Sequence, residues 1–281
     1  MNRPLLAAFA DEASPNLEGQ VAALLRNGMD GIELRNVDGE NISDISPGQA
    51  RRIRRRLDDA GLVAWSIGSP IGKIDLVGDD FAAHLDRLRR TVDIAGLLGA
   101  ANIRMFSFYI PVGEDPARYR DEVMARLQRM AEACEGSGVT LCHENEKGIY
   151  GDVAERCLDI HESVPALAGV FDPANFIQCG QDTAGAWRML KPYIKYMHVK
   201  DALADGTVVP AGCGIGHVRA IVGDYLAGGG RALTLEPHLR VFGGMEALER
   251  RGKTPLADPY AYESSDAAFD AAAAALRALL T

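Results

Sequence analysis

Four short runs of this chain end in residues that can hold a metal or move a proton: LCHEN at 141–145, VFDPAN at 170–175, MHVKD at 197–201 and LTLEPH at 233–238. Each is an apolar, β-prone stretch that ends in one acid or imidazole, namely Glu144, Asp172, His198 and Glu236. Successive members lie 28, 26 and 38 residues apart, about the length of a strand followed by a helix. That spacing predicts four successive barrel strands, each delivering one donor to a common mouth. Three carboxylates held so close repel one another unless a cation sits among them. Three oxygen donors and one nitrogen favour Mn2+ first, with Mg2+, Co2+ or Zn2+ as alternatives, over the thiolate sets of structural zinc.

The elements that must position these residues alternate along the whole chain. Short runs rich in Val, Ile, Leu and Phe at 5–10, 31–35, 62–68, 102–108, 139–144, 168–172, 194–199 and 232–236 read as strands. Amphipathic stretches at 16–27, 47–60, 80–98, 115–135, 152–163, 182–191, 216–227 and 263–280 read as helices. Pro47 after Ser46 is a helix start, and Gly28, Gly61, Gly99 and Gly136 are stops. Eight β–α units predict an α/β fold, a parallel sheet closed as a (β/α)8 TIM barrel, in a single domain over 1–281. A doubly wound open sheet is the alternative.

Strand parity then assigns faces, because side chains alternate between the two sides of a strand. Thr140, Cys142 and Glu144 share one side of their run, as do Tyr196, His198 and Lys200, and Thr234 and Glu236. Leu141, Met197, Val199, Leu233 and Leu235 take the other, and Ile32 and Leu34 oppose Glu33. The apolar set suits the outer face against helices, and the polar set the interior and its C-terminal mouth. The irregular stretch 237–262 follows the last strand and is expected to cover that mouth as a lid.

Composition excludes several other classes. The net charge of −9 repels phosphate backbones, so no nucleic-acid partner is expected. The most basic run, RRIRRR at 51–56, reads as a solvated helix face with Ile53 turned inward. No apolar run approaches the roughly 18 residues of a membrane span, and the apolar stretch before Asp11 is too short for a signal-peptide core. Five cysteines, odd in number and without a C-x-x-C pair, suit a reducing compartment, so a cytoplasmic protein without membrane partners is expected. Neither a Walker motif nor a G-x-G-x-x-G after a strand is present, which leaves nucleotide cofactors unsupported.

These residues resemble those of the xylose isomerase-like barrel superfamily, the sugar phosphate isomerase/epimerase group with ketose 3-epimerases, hydroxypyruvate isomerase, inosose dehydratase and endonuclease IV. The resemblance covers all eight units and is most specific at the Glu–Asp–His–Glu set. It implies that Glu144, Asp172, His198 and Glu236 are metal ligands, and that the two glutamates also act as the acid–base pair. Lys200 matches the common H-V-K-D form of the seventh strand, and Gly212-Cys213-Gly214 the glycine-rich loop after it. Asn175 departs from the pattern, standing where epimerases usually carry a histidine; an amide there suits a substrate hydroxyl better than a metal. Endonuclease IV needs histidines on early strands, and this chain has none before His84.

The implied substrate is a small carbohydrate or related hydroxyketone. A proton beside a ketone is too weakly acidic for a free carboxylate, but a metal on the carbonyl oxygen stabilises the enediolate and permits its removal. Returning the proton to the other face inverts a carbon, and returning it to the neighbouring carbon exchanges aldose and ketose. Loss of hydroxide instead makes an inosose dehydratase-type lyase, the alternative reading. A non-catalytic sugar-binding barrel is a third, which paired bases argue against. Assembly into a homo-oligomer is left open.

Further residues are candidates for substrate contact. Glu33 and Arg104 have inward parity and would bind hydroxyls or a carboxylate, or else pair with each other's strand as buried ions. His217 starts a helix and would orient substrate or cap. Lys73 reads as a surface lysine or an anion contact, and Glu146 as a pocket wall or a helix cap. His143 reads as a core histidine behind a ligand, His84 and His161 as structural helix residues, and His238 and Arg240 as parts of the lid.

Overall fold

The alternating apolar runs close on themselves. In a computed structural model, residues 3–242 and 262–281 are described. The strands are β1 (Leu5–Ala8), β2 (Gly31–Leu34), β3 (Val63–Gly68), β4 (Asn102–Met105), β5 (Thr140–Glu144), β6 (Ala168–Phe171), β7 (Ile194–Val199) and β8 (Ala232–Leu235). They pair in parallel in the order β1-β8-β7-β6-β5-β4-β3-β2, and β2 pairs again with β1 to close the barrel. The helices between them are α1 (Leu17–Arg26), α2 (Pro47–Asp59), α3 (Phe81–Leu98), α4 (Arg120–Glu132), α5 (Ala154–Ser163), α6 (Pro173–Gln178), α7 (Thr183–Leu190), α8 (Val218–Ala227) and α9 (Ser265–Leu279).

Local chemistry explains the boundaries. Ser46 and Gln49 cap α2 reciprocally, with Pro47 at its first turn. Ala50, Ile53 and Leu57 are buried while most of the arginine run lies in solvent, and Arg54 Nη1 donates to the Leu98 carbonyl at the end of α3 at 2.8 Å. The expected helix over 115–135 opens as a separate 3-10 turn at Pro116–Tyr119, because Asp115 and Pro116 set the start of a turn before α4. The short helix α6 was not anticipated. Its start is written in the run Asp172-Pro173: Asp172 Oδ1 accepts from Asn175 N at 3.0 Å, and proline sits at the first helical position. Of the expected lid, 243–261 lies outside the described residues.

The parity assignment holds. Ile32, Leu34, Ile103, Met105, Leu141, Met197, Val199, Leu233 and Leu235 are buried in the main core against the helices. Cys142, Val170, Tyr196 and Ala232 form a separate apolar plug inside the barrel. Burying a side chain of this size stabilises by about 1.5–3 kcal/mol, so the two layers leave only the upper, C-terminal end free for polar groups.

The loop after β7 is built on one acid. Asp201 is fully buried and accepts from Gly212 N at 2.9 Å, Gly214 N at 3.0 Å, Gly216 N at 2.9 Å and Ala202 N at 2.9 Å. A Cβ at Gly214 would stand 2.4 Å from Asp201 Oδ1, and one at Gly216 2.6 Å from it. The glycines are there because the backbone must come this close to the carboxylate.

Candidate active site and metal centre

Glu144 is the last residue of β5, Asp172 follows β6, His198 lies in β7 and Glu236 follows β8. One donor atom from each lies within 4.8 Å of the others, and all four residues are buried. His198 Nδ1 is the common neighbour, 2.9 Å from Glu144 Oε1, 3.4 Å from Glu236 Oε2 and 4.0 Å from Asp172 Oδ2. Asn145 locks the ends of β5 and β6 together: its Nδ2 donates to the Asp172 carbonyl at 2.9 Å and its Oδ1 accepts from Asp172 N at 3.0 Å.

The other face of the His198 ring meets Glu33, whose Oε2 lies 3.3 Å from Nε2. Glu33 in turn accepts from Tyr196 Oη at 2.8 Å and from Ser66 Oγ at 3.3 Å. It is fully buried and is not among the residues that line the cavity, and it forms the buried ion pair that was its other expected role. Its position fixes the imidazole. A carboxylate on Nε2 holds the proton there and leaves the Nδ1 lone pair for a cation.

The acids around His198 set the charge of the site. Burial works to lower the His198 pKa, but Glu144 and Glu33 outweigh it and hold it well above its usual range. Burial, with repulsion from Glu236 and Glu144, pushes the Asp172 carboxyl up to about 7 against the pull of Lys200. Burial also works to raise Glu236, yet Lys200, His238 and His198 keep it well below the carboxylate range. Lys200 Nζ lies 2.8 Å from Asp172 Oδ2 and 3.0 Å from Glu236 Oε2.

A divalent cation fits this donor set. Asp172 Oδ2 is buried and accepts no hydrogen bond, despite the nearby ammonium. Three buried carboxylates and an imidazole nitrogen drawn this close are the arrangement a hard or borderline metal satisfies.

Behind Glu236 stands a group of residues that the sequence reading did not single out. Arg35 is fully buried and donates through Nε to Asp11 Oδ2 at 2.9 Å, through Nη2 to Asp11 Oδ1 at 3.0 Å and Glu12 Oε1 at 3.1 Å, and through Nη1 to Glu236 Oε1 at 3.3 Å. Its guanidinium lies 4.5 Å from the ring centroids of both Phe9 and Phe242. Burial pushes the Glu12 carboxyl up to about 8, against Arg35 and with Glu236 adding to the rise. Arg35 stands two residues beyond Glu33 on the same strand side, and that parity was the signal for it. His238, at the start of the expected lid, is buried, and its backbone N–H donates to Glu12 Oε2 at 2.6 Å.

The cavity above the ligands is narrow, about 20 Å³, and lined by Lys73, Arg104, Lys147, Lys200, Gln178 and His238 together with Glu144, Glu146, Asn175 and Glu236. Asn175 Nδ2 donates to Glu144 Oε1 at 3.3 Å and to the Asn145 carbonyl at 2.9 Å. Arg104 Nη1 lies 3.4 Å from Glu144 Oε2. Lys73 is no surface lysine: its Nζ pairs with Glu146 Oε2 at 2.9 Å within this cavity. His217 is not brought here. It is exposed at the start of α8, with Nδ1 3.1 Å from Thr183 Oγ1. His84 is buried and its Nε2 accepts from Gly72 N at 2.7 Å, while His143 Nε2 meets Ser107 Oγ at 3.0 Å; both serve the framework. A larger groove of about 620 Å³, walled by Trp65, Trp187 and Tyr225, is lined by none of the four donor residues.

Known proteins share this frame. The uncharacterized protein YihM of Escherichia coli K12 is 25% identical over 224 residues, 78% of this chain, and the match spans 63% of YihM's own length, under two thirds of it. The solved structure of an L-ribulose 3-epimerase superposes with a TM-score of 0.73 at 21% identity, over 100% of this chain and 95% of that one. That of the probable 3-DHS dehydratase AsbF from Bacillus anthracis gives 0.74 at 16% identity, over 98% and 99%. At these identities the likeness to the solved structures is one of fold. The family described as xylose isomerase-like TIM barrel matches residues 21–223, and with the closed eight-stranded parallel sheet this establishes that the chain belongs to that family.

Proposed function

We propose that the protein is a divalent-metal-dependent isomerase or epimerase of a sugar or related hydroxyketone, with Glu144 and Glu236 as its acid–base pair and an enediolate between substrate and product. One observation carries this reading. Glu144 turns Oε1 and Glu236 turns Oε2 toward the same atom, His198 Nδ1, and each keeps its second oxygen on another side. Glu144 thus keeps Oε2 beside Arg104, while Glu236 keeps Oε1 on Arg35 and turns Oε2 to His198 and Lys200. Mn2+ is the first expectation, and a divalent cation held by the four donors would draw on the substrate's carbonyl and acidify the adjacent C–H.

The chain's own groups do the rest. Glu144 Oε2, beside Arg104, receives the proton. Glu236, kept anionic by Lys200, takes or returns it on the other side of the substrate. Asn175 holds Glu144 by its amide, and Asn175 and Lys200 line the cavity where substrate hydroxyls would bind. A cytoplasmic setting and a single small-molecule partner accord with this reading. The folds shared with an epimerase and a probable dehydratase support the enediolate reading and name its alternative, a lyase.

Incubating the manganese-loaded protein with a panel of ketoses and inososes in D2O tests it. Deuterium at the carbon beside the carbonyl with an epimerised or isomerised product is the expected outcome, and loss of water would identify the lyase. Glu144→Gln and Glu236→Gln should each lower turnover by roughly 10²–10⁴-fold, the range for loss of a positioned base. Near-normal turnover in both variants, with metal still bound, would overturn the pair.

A further inference from the structure

Arg104 is a buried cation whose hydrogen-bonding capacity the protein leaves mostly unused. Its side chain is 3% exposed; among the described residues its Nε has no acceptor, and its one ion-pair contact is the 3.4 Å approach of Nη1 to Glu144 Oε2. Guanidinium carries five N–H donors in a fixed plane, and leaving them unmet in a buried place costs free energy. Arg35 shows the contrast: in the same barrel mouth, all three of its nitrogens donate to carboxylates.

Aromatic rings and a glycine set the position of Arg104. Its guanidinium carbon lies 4.7 Å from the Phe106 ring centroid and 5.4 Å from that of Phe9, and these rings set its position without taking up its donors. Gly68 clears the space: a Cβ there would stand 3.1 Å from Arg104 Nη2 and 2.4 Å from Phe9 Cε1. Ser69 Oγ donates to the Arg104 carbonyl at 2.6 Å and so fixes the strand beneath. The adjoining wall is basic as well, since Lys73 and Lys147 line the same cavity, and Lys73 Nζ lies 4.4 Å from the centroid of the same Phe106 ring. Arg104 lines this cavity, and a guanidinium with unused N–H donors pairs with a two-oxygen anion better than with a hydroxyl.

We infer that Arg104 seats an oxyanion carried by the substrate itself, a carboxylate matched to the planar guanidinium, so that the hydroxyketone acted on is an acid and not a neutral sugar. This rests on the isomerase reading for what is done to the substrate, but the seat is a binding property and can be measured without turnover. A phosphate ester would present the same chemistry from a second source.

Three matched compounds separate these cases: D-fructose, D-fructuronate and D-fructose 6-phosphate, which differ only in what C6 carries. Their dissociation constants are measured by calorimetry on the manganese-loaded wild-type, Arg104→Gln and Arg104→Lys proteins at fixed ionic strength, with metal content and thermal unfolding recorded for each. Fructuronate should bind wild-type protein roughly 30-fold or more tighter than fructose, as expected for a buried charge pair. That ratio should collapse in Arg104→Gln and return in part in Arg104→Lys, which keeps the charge but not the fork. A preference for the phosphate that is equally lost in Arg104→Gln assigns the seat to a phosphate ester. Equal binding of all three by the wild type, absence of binding, or a preference that survives Arg104→Gln overturns the seat. A merely structural role for Arg104 would weaken all three compounds together and leave the ratio unchanged, which also overturns it. Deuterium exchange with the same compounds reports on the isomerase reading separately: a seat without exchange would sink that reading and leave Arg104 as an anion-binding group.

Discussion

Glu33 is fully buried and touches the candidate ligand set through His198. Its carboxylate 3.3 Å from Nε2 selects which imidazole nitrogen keeps the proton, and Tyr196 and Ser66 hold that carboxylate in turn. Partners of this kind are worth about 10–100-fold in metal affinity. Glu33→Gln, which keeps the shape and loses the charge, should weaken Mn2+ binding by roughly that factor in a calorimetric titration. Unchanged affinity would show that the ring is oriented by packing alone, for instance by the Phe9 edge 5.1 Å away.

Among the elements, the loop between β7 and α8 depends most on a single side chain. Asp201 receives the N–H groups of Gly212, Gly214 and Gly216, and no other acceptor could take its place without room that the glycines were chosen to remove. Asp201→Ala leaves those donors unpaired and should cost about 3 kcal/mol, the order expected for losing several charge-assisted hydrogen bonds. A urea midpoint that moves by less than about 0.5 kcal/mol in equivalent stability would mean the loop is held otherwise. Asp201 lies next to Lys200, so the loop also fixes where β7 ends and Lys200 enters the cavity.

At the scale of the whole molecule, a cation bound at this cluster would link metal and fold. The site gathers Glu33, Glu144, Asp172 and Glu236 around one imidazole, and a cation that binds only this folded arrangement must stabilise it. At a hundred times its dissociation constant, Mn2+ should add about 2.7 kcal/mol, or roughly 5 °C in melting temperature for a chain of this size. His198→Ala should abolish the shift. The effect should also depend on pH. Asp172, pushed up to about 7, and His198, held above its usual range, carry protons that a metal must displace. The sign follows: as pH falls from about 8 to 5.5, protons compete better and the metal-induced shift shrinks. A shift that is flat over that range, or undiminished in His198→Ala, would place the metal elsewhere. Among the described residues no helix is long and apolar enough to cross a membrane.

Much of this was legible in the chain itself. Alternating apolar runs at barrel spacing are local properties, so the eight strands, their inward and outward faces, and the four strand-end donors could be read without coordinates. The start of α6 is equally present in Asp172-Pro173, where one aspartate serves both as a candidate ligand and as the helix cap. The rest came from closure. Arg35 and Glu236 are 201 residues apart and Glu33 and His198 are 165 apart, and each pair meets only when the sheet joins its first and last strands or faces itself across the barrel. Whether Glu33 reaches substrate or stands behind a ligand, and whether Lys73 is solvated or lines the cavity, depends on depth along the barrel axis. Parity gives the side of a strand a residue occupies, but only the stagger of neighbouring strands sets its height, and that stagger is a property of the closed barrel.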